Sequence, residues 1–197
     1  MMNTTDSGNI HLLPEHIVDQ IKAGEVIERP ATLLKELLEN SIDAKAKKVV
    51  VHIINNGLDL ISVEDDGGGI SFNDLPLAFC RHATSKINIF EDLYRLNSYG
   101  FRGEALASMA SVSKLTCISN KKNNNEGTIQ FHGGEMISHR QDAEKIEDAG
   151  TKIFVKDLFY NTPVRIKFLQ SQTSERNQLK RIINAFILTH PEIEFSV

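Results

Sequence analysis

Two cysteines, Cys80 and Cys117, are too few for a disulfide framework in a chain of 197 residues. The expected setting is therefore reducing and cytosolic. No run of 18 or more apolar residues occurs, which excludes a membrane-spanning helix. The first thirteen residues lack the basic start and apolar stretch of a secretory signal. Asn3-Thr4-Thr5 has the spacing of a glycosylation acceptor, but without such a signal it is read as chance. There is no internal repeat and no low-complexity domain. Neither sign of charge dominates: the net charge of -4 argues against a generally basic nucleic-acid binder. Arg165, Lys167, Arg176, Lys180 and Arg181 make the final part locally positive, which taken alone reads as a solvated helix face. The common glycine-rich phosphate loops, G-x-x-x-x-G-K-[ST] and G-x-G-x-x-G, are absent. So are H-E-x-x-H and the alternating aspartates of a calcium loop, and Cys80 with His82 lacks the second pair a zinc site needs.

What is present is ordinary in composition: 41% hydrophobic and 24% charged residues suit one domain with a sizeable core. Apolar spacing predicts helices over Pro14–Ile27, from Pro30 through Asp43, over Glu104–Val112 and over Gln172–His190. Short helices are expected at Asn73–Ala83 and Ile89–Leu96. Strands are expected at Val49–Ile54, Leu60–Glu64, Ser113–Ser119, Thr128–Phe131 and Thr151–Asp157, with a strand-like alternation from Ile193 to Val197. The polar run Lys121–Gly127 reads as a hairpin connection with a disordered tip. Helices come early and hairpins late, without regular βαβ alternation. That favours an α+β fold, a mixed and mostly antiparallel sheet with helices on one face.

The segment Leu33–Asp43 carries the sharpest signal. On a helix, Glu36, Asn40 and Asp43 share one stripe, while Leu33, Leu34, Leu37, Leu38 and Ile42 fill most of the remaining surface. Any single helical glutamate is most often a plain surface residue. Asparagine, however, is a poor helix former, so Asn40 in mid-helix asks for a reason. A carboxylate and an amide one turn apart can hold a water and a hard cation, two of the parts that phosphate-ester hydrolysis needs. Asp43 ranks lower, as a residue near the helix end. Asp65 then stands on a strand end before Gly67, Gly68 and Gly69, where a carboxylate can accept from an exocyclic amine such as adenine's. A plain turn is the rival there, since turns use Asp and Gly constantly. Gly100-Phe101-Arg102-Gly103 sits just before a helix, where backbone N–H groups and an arginine can meet phosphate. The segment from 71 to 102 is long and only partly regular, which suits a lid over a ligand.

Glu36 with Asn40, Asp65-x-Gly67-x-Gly69, Gly100-Phe101-Arg102-Gly103-Glu104 and Gly150-Thr151 resemble, in order, the four motifs of the GHKL ATPases. The finer text is similar to the MutL mismatch-repair family. It includes Gln20-Ile21-x-Ala23-Gly24-Glu25-Val26-Ile27-Glu28-Arg29-Pro30, Lys35-Glu36-Leu37-x-Glu39-Asn40-Ser41-x-Asp43-Ala44, Arg81-His82-Ala83-Thr84-Ser85-Lys86-Ile87 and Asp157-Leu158-Phe159-Tyr160-Asn161-Thr162-Pro163. The resemblance covers about residues 12 to 190.

It implies a Bergerat ATP-binding fold, with Glu36 as the base that activates water and Asn40 as the Mg²⁺ ligand. Asp65, with Gly67 and Gly69 at its bend, reads the adenine amine, and Thr151 supports that contact through water. Thr84, Ser85, Lys86, Gly100, Phe101, Arg102 and Gly103 hold phosphates of ATP or ADP from a lid over 71–102. The N-terminal arm, residues 1–13, contributes to a homodimer that forms on ATP binding. The implied partners are a MutS-type mismatch sensor, a downstream nuclease or helicase, and DNA bound weakly; the implied setting is the nucleoid of the cytoplasm. Two departures stand out: Lys22 replaces a usual alanine, and Asp66 replaces a common asparagine. Relatives complete the phosphate site with a lysine from a following domain, so this chain is expected to bind ATP but to hydrolyse it poorly. A nucleotide-gated binding module without turnover is the competing expectation. A sensor kinase lacks room for its phospho-accepting domain before Glu36, and a topoisomerase does not fit the Arg81–Ile87 text.

Overall fold

A computed structural model describes residues 12–81, 83 and 103–197. Helix α1 spans Glu15–Val26 and α2 spans Pro30–Asp43, with Pro30 in the first turn, where its missing N–H costs nothing. Strands β1 (Lys48–Ile54) and β2 (Leu60–Asp65) are joined by a 3₁₀ turn at Asn55–Gly57, where all three residues take positive φ. A second 3₁₀ turn (Phe72–Asp74) leads into the one-turn α3 (Leu75–Ala78). After α4 (Ala105–Ser111) come β3 (Lys114–Asn120), β4 (Asn124–His132), β5 (Glu135–Ile146) and β6 (Gly150–Lys156). The one-turn α5 (Pro163–Ile166), α6 (Gln172–Thr189) and β7 (Glu194–Ser196) complete the described chain.

The seven strands form one sheet in the order β5-β4-β3-β6-β2-β1-β7. Only β1 and β7 pair in parallel, so the sheet is mixed and mostly antiparallel. Register builds the core. Val51, Val63, Ile153, Cys117 and Ile129 lie side by side across five strands, and all are buried. Leu34, Leu37 and Leu38 of α2 and Met109 of α4 belong to the same buried cluster. On the opposite face, neighbours such as His52, Lys152 and Lys156 are exposed, the alternation of a sheet covered on one side. One row further along the covered face, the residues side by side are Val49, Asp65, Thr151, Ser119 and Gly127. The apolar stripe turns polar there, and the row marks the floor of the site described below.

Three expectations need correction. The 73–83 region is a 3₁₀ turn and a one-turn helix, with helical geometry lost at Phe79. The run Lys121–Gly127 is not all connection. Only 121–123 turn the chain, with Asn123 at φ 59°, and Asn124–Gly127 belong to β4. Strand β5, of 12 residues, has no counterpart among the expected strands. The expected helix at Ile89–Leu96, His82 and nearly all of the N-terminal arm lie outside the described residues.

Candidate active site

Asp65 ends β2 with its carboxylate held on both oxygens. Oδ2 accepts from the Ser41 hydroxyl at 2.9 Å, and Oδ1 accepts from the Gly67 N–H at 3.0 Å. Burial pushes its pKa above the ordinary aspartate value, and the Asp66 charge adds to the rise; the two hydrogen bonds oppose it. The glycine bend after it docks on the end of α2. Gly68 N–H donates to the Ala44 carbonyl at 2.9 Å, and a Cβ on Gly67 would lie 2.6 Å from the Ala44 Cβ. Gly69 takes φ +65°, and a Cβ there would stand 1.8 Å from the Asn120 carbonyl oxygen. A Gly69→Ala variant is therefore expected to lose stability on the order of 3 kcal/mol, from left-handed strain plus the clash. Urea unfolding checks this, and an unchanged midpoint contradicts it.

Thr151 lies opposite Asp65 in register, and Ser119 lies opposite Thr151. The Ser119 hydroxyl accepts from the Ile70 N–H at 2.8 Å and reaches the Gly150 carbonyl at 2.9 Å and Thr151 Oγ1 at 2.8 Å. A hydroxyl has one hydrogen. If Ser119 gives it to Gly150, Thr151 is the donor of the shared bond and keeps its lone pairs for a further donor. Cys117, two residues back on the covered face, is fully buried, and its thiol is pushed up to about 12 by desolvation first and the Asp65 charge second. It is inert at neutral pH.

Asp66 has a structural task. Its Oδ1 accepts from the backbone N–H groups of Lys47 and Lys48 at 2.7 and 2.8 Å, tying the bend to the start of β1. One carbonyl-type oxygen does all of this, so an asparagine amide would serve equally. The departure noted in the sequence therefore changes charge without changing these contacts.

Helix α2 brings the other half. Glu36, Asn40 and Asp43 are half-buried and line one cavity of about 1020 Å³ together with Asp65, Gly69, Gly103 and Thr151. Sites for small ligands and cofactors typically run about 300–1,000 Å³, so the space suits a nucleotide-sized ligand. Lys35 sits 2.6 Å from Glu39 and 3.8 Å from Glu36, and Glu39, though buried, also lines the cavity. Gly67 shapes the bend from below and does not line the cavity. Thr84, Ser85, Lys86, Gly100, Phe101 and Arg102 lie outside the described residues. Ser41 and Ser119, which orient the Asp65 and Thr151 side chains, are missed by sequence reasoning. Ser41 lies one turn past Leu37, on the leucine side of α2, where no sequence pattern singles it out.

Comparison with known proteins decides the family. The model described as histidine kinase-, DNA gyrase B- and HSP90-like ATPase matches residues 28–158. This chain belongs to that ATPase family. Within it, the MutL mismatch-repair protein of Thermodesulfovibrio yellowstonii is 49% identical over 189 residues, covering 95% of this chain and 34% of that protein. MutL of Streptococcus pyogenes is 47% identical over 193 residues, covering 96% of the chain and 28% of that protein. The chain thus spans about a third of the length of these relatives. Among solved structures, the N-terminal domain of a DNA repair protein matches with TM-score 0.74 at 28% identity, covering 90% of this chain and 50% of the other. The Aquifex aeolicus MutL ATPase domain complexed with ADP matches with TM-score 0.64 at 35% identity, covering 86% and 59%. The resemblance to MutL and the α+β GHKL ATPase fold expected from the sequence are both met. In this ATPase family member the matched region holds the Glu36 helix, the Asp65 bend and Thr151 together.

Proposed function

We propose that this chain binds Mg²⁺-ATP in the cavity between α2 and the Asp65 bend and serves as the ATPase module of a MutL-type mismatch-repair protein. The carrying observation is the convergence of Glu36, Asn40, Asp65 and Thr151 on one cavity of about 1020 Å³. The ADP complex of the Aquifex aeolicus relative supports it.

The residues fit such a ligand chemically. Asp65 offers a carboxylate already oriented by Ser41 and Gly67, a suitable acceptor for the adenine amine. Thr151 and a water complete that edge. Among the described residues no three His, Cys, Asp or Glu gather as a metal site. That suits Mg²⁺, which commonly takes one or two protein oxygens with waters and phosphates, here from Asn40. Held there, the ion would supply charge neutralisation to the phosphates. Glu36 takes the proton of the attacking water. Thr84, Ser85, Lys86, Gly100, Phe101, Arg102 and Gly103 hold the phosphates. In this reading the 71–102 segment closes over ATP and two copies pair through this domain and its arm. The pair then couples a MutS-type sensor to a nuclease or helicase on weakly bound DNA.

Calorimetry and thermal melts test the binding. Saturating Mg²⁺-ATP at about 100 times its Kd stabilises a protein by roughly 2.7 kcal/mol, so a rise in Tm of about 5–10 °C is expected. Asn40→Ala should abolish the Mg²⁺-dependent part of ATP affinity. An absence of heat and of any thermal shift with the unaltered chain refutes the reading. Equal Mg²⁺ dependence in Asn40→Ala removes that residue from the metal.

A further inference from the structure

The cavity lining is acidic. Among the described residues, Glu25, Glu36, Glu39, Asp43, Asp65 and Glu104 all contribute to it. A triphosphate entering such a site meets repulsion unless cations answer it. The described lining holds three, Lys22, Lys35 and Arg81. Lys35 is committed to Glu39 at 2.6 Å and Glu36 at 3.8 Å. Arg81 also has an interaction partner. Lys22 is exposed, and its side chain makes no hydrogen bond or ion pair with any described residue.

The helical turn carrying Lys22 is fixed from outside the cavity. The Arg165 guanidinium donates to the Gly24 carbonyl at 3.1 Å and to the Ile21 carbonyl at 3.4 Å, on either side of Lys22. It occupies the space where a Gly24 side chain would be: a Cβ there would stand 1.5 Å from Arg165 Nη2. A cation near a helix C-terminus satisfies carbonyls that have no partner within the helix. The last turn of α1 is thereby anchored before any ligand arrives. Among the described residues Lys22 is thus a cavity-lining cation with no side-chain partner.

Resting on the nucleotide reading above, we infer that Lys22 is a phosphate-binding residue of this site, supplying from α1 a positive charge to the nucleotide's β- and γ-phosphates.

Lys22→Ala, Lys22→Arg and Lys22→Glu test it in the whole chain, with apo melts to confirm folding. Mg²⁺-ATP, Mg²⁺-ADP and adenosine are titrated by calorimetry at two salt concentrations. Lys22→Ala is expected to weaken ATP about fivefold, the scale of one partly solvated ion pair, and to leave adenosine unchanged. Lys22→Glu should lose about 20-fold or more on ATP, because repulsion replaces attraction. Lys22→Arg should restore affinity, and the salt dependence of ATP binding should flatten in Lys22→Ala. Equal ATP affinity in the unaltered chain and Lys22→Ala overturns the assignment alone. A loss shared by ATP and adenosine also overturns it, because the effect is then structural. If the unaltered chain takes up none of the three ligands, the nucleotide reading itself falls and this assignment falls with it.

Discussion

Asp65→Asn is expected to cut ATP affinity about 10- to 100-fold while leaving the empty domain as stable as before, or more stable, at neutral pH. The affinity loss follows from the hydrogen bond at stake. A bond from the adenine amine to a charged acceptor contributes about 1.5–3 kcal/mol, and each 1.4 kcal/mol is roughly tenfold. In the variant, the amide oxygen can still accept from Gly67 N–H, and the amide NH₂ can donate to Ser41 Oγ. Ser41 is then free to donate to the Leu37 carbonyl, which its hydroxyl already reaches at 3.2 Å. The fold loses no bond, but an NH₂ group now faces the purine amine, donor against donor.

The stability effect has a definite sign. Desolvation raises the folded-state pKa of Asp65, so the unfolded chain ionises more readily than the folded one. The contribution of Asp65 to stability is fully present below the ordinary aspartate pKa and is lost as pH rises through the raised value. Asparagine does not titrate. The stability of Asp65→Asn relative to the unaltered chain should therefore climb with pH across that window and level off above it. Urea midpoints from acid to neutral pH report the difference. Unchanged ATP affinity removes Asp65 from adenine recognition, and a stability gap that widens toward acid pH contradicts the burial argument.

The same contrast between pattern and register explains what sequence reveals here. Helix α2 is legible because leucines repeat at helical spacing and Pro30 opens it; β1 is legible as a run of β-branched residues closed by Asn-Asn-Gly, and β2 as the returning apolar segment before the glycine run. Of the candidate residues only Asn40 sits oddly in its element; Glu36 and Asp65 are ordinary residue types where they stand, and it is the resemblance that singles them out. Strand β5 is not, because it is an edge strand: Met136, Ile137 and Arg140 are exposed, and its sequence shows no alternation to read. Its nearest signal is Gly133-Gly134 at φ +61° and +92°, the glycine pair of a tight hairpin between β4 and β5. The polar start of β4 is strand for a similar reason. Asn125 Nδ2 donates to the Asp142 and Ala143 carbonyls of β5 at 2.8 and 3.1 Å, a partner that no local pattern announces. Ser41 and Ser119 belong with these. Nothing near either serine in the chain marks it; only the row Asp65, Thr151, Ser119 across three strands shows what the second one does.

Glu36→Gln is expected to lower ATP hydrolysis by at least about 100-fold with ATP affinity within a few-fold of the unaltered chain. General-base catalysis typically contributes 10²–10⁴ in rate, roughly the loss from a group of the same shape that cannot take a proton. Position argues that binding survives. Glu36 is half-buried on the cavity wall, and its carboxylate adds repulsion toward phosphate, so neutralising it should not weaken the ligand. Lys35 gives the variant a second readout. Its ammonium lies 3.8 Å from Glu36 but 2.6 Å from Glu39, so Glu39 is its main partner. With Glu36 neutral, Lys35 stays on Glu39, and an apo melt shows whether the substitution has disturbed the fold itself. Phosphate release under single-turnover conditions, measured beside nucleotide affinity, separates the two effects. Undiminished release from Glu36→Gln removes Glu36 from the chemistry. Loss of binding in step with rate instead makes Glu36 a binding residue and leaves the base unidentified. If a longer protein that also carries the following domain's lysine binds ATP and releases no phosphate above background, the nucleotide-gated binding module becomes the better account of this cavity.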